Sequence, residues 1–528
     1  MTSGKVNILS FNIKIFLMKN QRIYTITIIT LFFFGSCTTV DHKNKNHDKL
    51  NVLFIIADDL NCDLGVYGHP LVKTPNIDHL ANNGFTFLNA HNQYPLCGPS
   101  RASFMTGLYT NQTNITQNNV LIRNAIPDVI TLGQRFRQQG YQSVRIGKIF
   151  HYDNPSAIGT SGADDIYTWD QTINPYGRDK LEEYKINTLS ERRYGGTLSW
   201  LAADGVDKEQ TDGIGASEAI KMIEKFANNS QQFFLAVGFF RPHTPFVAPK
   251  KYFDLYNREE MVIQKSSDDY LKTIPIPAAK SIRAKYNQTD LDVDLAKEIK
   301  EAYYSTVSFV DAQVGRVLQK LKETGLDKNT IVVFTSDHGY HLGEHGHWQK
   351  LTLFENATRI PLIIYAPNMS GGQFVKSPVE LLDLYPTLMD LTDIKTPKHV
   401  VGRSLKPILV GEKSEVRKNA LTRLDNGYSM KTNQYRITMW GNKGEFGFEL
   451  YDHSSDSNEL VNLANNIEFK PLLDSLTVVL YERIKNANKI PDELGRRFDN
   501  PKAINKAPNM TFGDIYDENG KRVRTKNK

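Results

Sequence analysis

Asn51-Val-Leu-Phe-Ile-Ile-Ala57 runs without a break into Asp58-Asp59. A stretch this apolar predicts a strand buried on both faces, the pattern of a parallel sheet covered by helices. Far downstream Thr330-Ile-Val-Val-Phe-Thr335 repeats it and ends in Ser336-Asp337-His338-Gly339. In open α/β sheets, ligands gather at the carboxyl ends of the strands. Two strands that each finish in acid therefore predict one metal site assembled from both. Three carboxylates and an imidazole form a mostly hard ligand set, suited to Ca²⁺ or Mg²⁺. Each pair alone could equally cap a following helix or turn; the recurrence favours metal.

Around these strands, helical and strand-like segments alternate. Residues 76–83, 129–138 and 307–324 carry apolar positions at three- and four-residue spacing, and 232–240 (QFFLAVGFF) reads as another buried strand. This alternation predicts an α/β sandwich around a largely parallel sheet. From about residue 421 the apolar pattern shortens to alternation with Asn/Gly turns, which predicts antiparallel strands, and 472–486 reads as a helix. The expected organisation is a catalytic domain over 49–420 and a smaller α+β subdomain with a tail over 421–528.

The 528 residues carry 64 basic and 58 acidic side chains, a formal charge of +6. Residues 1–36 contribute Lys5, Lys14, Lys19 and Arg22 and no acid, so taking these four away leaves 60 basic against 58 acidic. A chain so balanced, without a long basic run, argues against nucleic acid as a partner. Three cysteines, Cys37, Cys62 and Cys97, cannot build a disulfide framework. From Met18, a positive segment with Lys19 and Arg22 precedes the apolar run Ile23–Phe34 and then Gly35-Ser36-Cys37. The run is too short to span a bilayer, which takes about 20 residues. It resembles a bacterial lipoprotein signal with Cys37 as the lipid-modified residue; an ordinary secretory signal ending near Cys37 is the alternative. Residues 37–48 then read as a polar tether. The expectation is an exported protein, lipid-anchored at Cys37 to the outer membrane, on its periplasmic face or at the cell surface.

Leu96-Cys97-Gly98-Pro99-Ser100-Arg101, followed by Thr106-Gly107, is the most informative motif. Pro99 fits the start of a helix. Cys97 would then lie just before it, where free N–H groups favour anions, with Arg101 one turn along. Cys97-Gly98-Pro99-Ser100-Arg101 resembles the signature of type I sulfatases, in which the Cys is oxidised to Cα-formylglycine. The resemblance runs over most of 51–460. GKIFH at 147–151, FFRPHTPF at 239–246 and TSDHGYHLGEHGHWQK at 335–350 are similar to the iduronate-2-sulfatase-like branch, and 449–464 resembles the family's C-terminal segment. Leu108 departs from the pattern, since many members carry Arg there to brace the formylglycine.

The resemblance implies an alkaline-phosphatase-like α/β/α fold with a small C-terminal domain, an antiparallel sheet packed by one helix. It implies that Asp58, Asp59, Asp337 and His338, with the side chain at Cys97, hold one Ca²⁺. Cys97, as a formylglycine hydrate, would be the nucleophile. Asp337 would accept its proton, Arg101 and Lys148 would fix the hydrate and the sulfate, and His151 would take the proton when the intermediate collapses. His243 would protonate the leaving oxygen, and Lys350 would contact the sulfate or that oxygen. Lone His and Lys residues on loops are more often solvated surface, but here each falls in a separate family motif. His341, His345 and His347 match no family role and read as loop packing, and Cys62 as a small buried residue. The implied substrate is a sulfated polysaccharide or oligosaccharide: an algal polymer of ulvan or carrageenan type, or a glycosaminoglycan, with uronate-containing chains attractive. A formylglycine-generating maturation enzyme is the implied partner. The alternatives are a phosphate or phosphonate ester hydrolase of the same superfamily and a catalytically dead glycan-binding lipoprotein.

Overall fold

The computed structural model describes residues 49–190 and 194–504 and the backbone of 515–516 and 522–523. The export segment, the tether and Cys37 lie outside the described residues. No helix among the described residues is long and apolar enough to cross a membrane.

Nine strands form the central sheet: β1 (Asn51–Ala57), β2 (Phe85–His91), β3 (Gln142–Gly147), β4 (Gln171–Ile173), β5 (Phe233–Phe239), β6 (Thr330–Ser336), β7 (Arg359–Tyr365), β8 (Gln373–Val375) and β9 (Val379–Glu380). Their order is β8-β2-β7-β6-β1-β5-β3-β4, with β9 also on β2. β1 lies between β5 and β6 and is parallel to both. β7 is antiparallel to its two neighbours, and the remaining pairs of this sheet are parallel.

All seven residues of β1 are buried, as a strand covered on both faces must be. Val52, Phe54 and Ile56 enter one apolar cluster and Leu53, Ile55 and Ala57 the other. The first cluster takes the inner faces of helices α2 (Cys97–Thr106) and α3 (Leu132–Gln138); the second takes α1 (Pro75–Asn83), α4 (Thr211–Asn229) and α5 (Val293–Glu323). Burying one such Phe or Leu side chain contributes roughly 1.5–3 kcal/mol, so the two cores fix which way each strand faces. Beyond the sheet, β10 (Ala420–Leu424), β11 (Gly427–Lys431), β12 (Tyr435–Trp440) and β13 (Phe448–Asp452) form an antiparallel meander. Helix α6 (Lys470–Asn488) packs on it through Leu480 and Ala487.

Three helices differ from the sequence reading. Helix α3 starts at Leu132 rather than 129, because Thr131 caps it and forms a capping box with Gln134. Helix α5 extends upstream to Val293, where Asp292 caps it. Helix α2 begins at Cys97 itself, which places Pro99 third; no N–H is needed there, since the whole first turn lacks intrahelical acceptors.

Candidate active site

The β1–β6 pairing puts Ala57 opposite Ser336, so the acidic ends of the two strands emerge side by side. Asp59 has φ +64, a left-handed conformation uncommon for a non-glycine residue. Several bonds hold it there. Its N–H donates to Asp337 Oδ1 (3.2 Å), and its carbonyl accepts from the Tyr303 hydroxyl of α5 (2.8 Å). Ser336 Oγ accepts from Leu60 N (3.0 Å) and donates to the His338 carbonyl (2.8 Å), locking the two strand ends together. Helix α2 brings Cys97 to this point. All ten of its residues are buried, and Ser100 Oγ ties it to the Asp337 carbonyl.

Cys97 Sγ lies 3.2 Å from Lys350 Nζ, 3.2 Å from His338 Nε2 and 3.6 Å from Asp59 Oδ1. Asp59 Oδ1 also receives Lys350 Nζ at 2.5 Å and faces His338 Nε2 at 3.2 Å. Asp58 is gripped on both oxygens, by Arg101 Nη2 (2.8 Å) and Lys148 Nζ (2.5 Å). Arg101 has no exposure and uses four of its donors on protein groups: Asp58, Asp337 Oδ2 (2.9 Å) and the carbonyls of Lys148 and Ile149. It therefore organises the carboxylates and the Lys148 loop rather than reaching outward to an anion. The Lys148 loop depends on two glycines, since Gly147 has φ +69 and a Cβ there would stand 2.1 Å from the Gly238 carbonyl, which Lys148 N–H binds at 2.9 Å.

Burial works against ionising Asp58, Asp59 and Asp337, but the adjacent cations outweigh it. Lys148 and Arg101 hold Asp58 below its usual range, Arg101 holds Asp337 far down, and Asp59 is brought to about 2 by His243, which is charged only in that acid range, and by Lys350. Burial pushes the Cys97 thiol well up, and Asp58 and Asp337 add to it. An unmodified thiol here stays protonated, a poor nucleophile. Burial lowers the His243 imidazole to about 3, so it is neutral in the unliganded site, and a bound sulfate anion would have to raise it before it could donate.

His243 Nδ1 faces the Thr244 carbonyl at 2.6 Å, while Nε2 lies 3.8 Å from Asp59 Oδ2. His151 is buried, 3.1 Å from Asp153, and among the described residues its Nδ1 has no hydrogen-bond partner. The ligand atoms of Asp59, Cys97, Asp337 and His338 lie within 4.8 Å of one another, as do those of Asp58, Asp59, Cys97 and His243. The three carboxylates fit a hard dication; the sulfur at position 97 is the one soft donor, and an oxygen there would complete the set better. His341, His345 and His347 pack ring to ring at 5.0 and 5.9 Å and bond to Thr352, Tyr270 and main-chain carbonyls. Cys62 is partly exposed at a surface cleft rather than fully buried.

Ser100, Ser336 and Tyr303 shape the site without having been expected there. The two serines lie inside the motifs, where a hydroxyl beside each site residue is the available signal. Tyr303 lies on a distant helix, and its sequence gives none.

Residues 50–394 match the family described as Sulfatase, and 343–486 match the C-terminal family of N-sulphoglucosamine sulphohydrolase. A sulfatase of Formosa agariphila is 36% identical over 468 residues, covering 84% of this chain and 89% of its own. Mouse iduronate 2-sulfatase is 31% identical over 525 residues, covering 82% and 94%. Among solved structures, the phosphonate monoester hydrolase of Silicibacter pomeroyi superposes with a TM-score of 0.70 at 22% identity, covering 84% of this chain and 96% of that one. At such identity this likeness speaks for the alkaline-phosphatase-like fold alone. The long sequence matches go further, and by them the chain belongs to the sulfatase family and is a sulfuric ester hydrolase.

Proposed function

We propose that the protein removes sulfate from sulfated oligo- or polysaccharides with a formylglycine hydrate made from Cys97 as nucleophile. The observation that carries this is the position of Cys97 Sγ, at the start of a buried helix and 3.2 Å from both Lys350 Nζ and His338 Nε2. A protonated thiol has no use at that point, whereas a geminal diol does. One hydroxyl attacks sulfur, the bond from sulfur to the alcohol oxygen breaks, and that oxygen takes a proton. The second hydroxyl then gives up its proton as the bond from carbon to the sulfate oxygen breaks. Sulfate leaves, the aldehyde returns and water rehydrates it. A serine lacks the second hydroxyl and would stop at the sulfated intermediate.

Asp58, Asp59, Asp337 and His338 would hold one Ca²⁺, which would supply Lewis-acid polarisation of a sulfate oxygen. Charge supports a dication. Three carboxylates offset Arg101, Lys148 and Lys350, so the protein site is neutral when its imidazoles are. Of the two further positive charges, one matches a sulfate monoester and the other favours ionising the attacking hydroxyl as its proton passes to Asp337. Lys148 and Lys350 would steady the sulfate oxygens, and Asp337 would accept the proton of attack. His151, buried with a free Nδ1, would take the proton of the release step, and His243 would give one to the alcohol.

The name of the mouse relative, an iduronate 2-sulfatase, supports a glycan substrate. Export and lipidation at Cys37 complete the reading: Cys37→Ser should release the protein from membranes at unchanged specific activity. The decisive experiment is peptide mass spectrometry beside kinetics on 4-nitrophenyl sulfate and the matching phosphate and phosphonate esters. Activity should track the fraction of Cys97 that has lost about 18 Da, the exchange of S–H and H for a carbonyl oxygen. It should vanish on chelation and return with Ca²⁺. Turnover by protein carrying only the thiol, or preference for the phosphonate, would overturn the reading.

A further inference from the structure

The described cations that ring the nucleophile each have a carboxylate: Arg101 has Asp58 and Asp337, Lys148 has Asp58, and Lys350 has Asp59. Lys285 does not. Its Nζ donates to the Gly196 carbonyl (2.8 Å) and to Gln349 Oε1, both neutral, and among the described residues no carboxylate pairs with it.

Lys285 belongs to the rim of the same site. Gln349 precedes Lys350 and holds a left-handed conformation (φ +80); its amide donates to Gln288 Oε1 (2.7 Å), and that oxygen also accepts from Leu198 N (3.0 Å). Gly195, next to the Gly196 that Lys285 binds, accepts from Thr244 Oγ1 at 2.8 Å, one residue from His243. On its other side a Cβ at Gly195 would meet the Asn154 carbonyl, three residues from His151. The Gly195-Gly196 segment thus touches the neighbours of His151, His243 and Lys350, and at Gly196 a side chain would find open space. Burial, with Lys350 acting in the same direction, lowers Lys285 to about 8, while Asp59 works against them. A partly buried ammonium held only by neutral oxygens is a cost that a ligand's negative charge relieves.

We propose that Lys285 is the anchor for a second anion on the substrate, a carboxylate or a further sulfate on the same or the adjoining sugar. The enzyme would then select polyanionic glycans over singly sulfated neutral ones. The inference rests on the sulfatase reading, but its test does not need turnover. Cys97→Ala protein, with and without Lys285→Met, is titrated by calorimetry with two ligand pairs. The first is a monosulfated disaccharide containing a uronic acid and its carboxyl-reduced counterpart. The second is a disulfated neutral disaccharide and its monosulfated counterpart.

Lys285→Met should weaken the doubly charged member of at least one pair about tenfold more than its singly charged partner, as expected for a partly buried charge pair. Coupling in the first pair identifies a carboxylate, and in the second a sulfate. Lys285→Arg should retain most of it. Equal loss on both members of both pairs, or no loss on any, would overturn the proposal. Absence of sulfate release from any of the four disaccharides by formylglycine-bearing wild type would overturn the sulfatase reading instead, and the two failures are read separately.

Discussion

Arg101 shows how much of the site hangs on one side chain. Its planar fork meets two carboxylates and two carbonyls at 2.8–2.9 Å with no solvent contact. A lysine ammonium cannot span four acceptors set in a plane. Arg101→Lys should destabilise the fold by about 1–3 kcal/mol, the usual cost of leaving buried acceptors unsatisfied, and lower kcat about 100-fold, because Asp58, Asp337 and Lys148 lose the geometry it sets. Denaturant unfolding and aryl-sulfate kinetics on the same preparation check both. Asp212 makes a pH-dependent case. Its oxygens accept from the N–H groups of Phe240 (2.8 Å) and Arg241 (2.9 Å), fixing the turn that presents His243. Burial raises it from 3.8 to about 7 despite Arg241. The folded state therefore holds a proton that the unfolded chain has lost. That contribution is complete below about pH 4 and disappears as pH rises through 7. Melting temperatures at pH 6 and 8 should fall further for wild type than for Asp212→Asn, although the variant is the less stable of the two. At this scale the sequence displayed which residues meet, because each lies in a motif, but not how they point. Arg101 turned inward and Lys285 went unnoticed because their partners are distant in the chain.

The strands were legible where burial on both faces leaves nothing but apolar residues, as in β1, β5 and β6. Helix α5 was seen only from its second half. Upstream of Val307, Lys and Glu alternate with apolar positions, and Tyr303 and Tyr304 are buried as rings whose hydroxyls are bonded, which blurs the apolar stripe. The reversal of β7 has no local signature at all, since a buried strand reads the same in either direction. Close approach between β3 and β5 was equally silent, yet it carries function. Gly147→Ala would need a side chain where only 2.1 Å separates it from the Gly238 carbonyl, and at positive φ. The variant should lose about 2–4 kcal/mol, in line with a strained and overpacked backbone position. It should also lose activity out of proportion to folded protein, because Lys148 is the next residue. Circular dichroism melts beside turnover per folded molecule would show the split.

Across the whole molecule, the C-terminal sheet buttresses the active-site loop. Arg436 of β12 is buried against Glu355 and Glu459, and Glu459 also faces His453 at 2.8 Å. Glu355 follows Lys350 by five residues, and between them Phe354 stacks on His345 (4.1 Å) and packs near Tyr451 of the meander. Arg436→Met should strand the buried Glu459 and the partly buried Glu355 and destabilise by about 3–5 kcal/mol, with Lys350-dependent turnover falling before global unfolding in a urea titration. An unchanged midpoint and unchanged kcat would show that the clamp carries no load.

The complete burial of Cys97 sets a clock on the proposed oxidation. With no exposure at the thiol and none to speak of along α2, a maturation enzyme cannot insert its own active site once β6 has docked beside β1. The docking strand is made long after residue 97, so there is an interval in synthesis during which the motif is an open peptide. Specific activity is then a record of that race, written once per molecule. Folded thiol protein mixed later with maturation enzyme should stay inactive, while the same protein presented during refolding should gain activity.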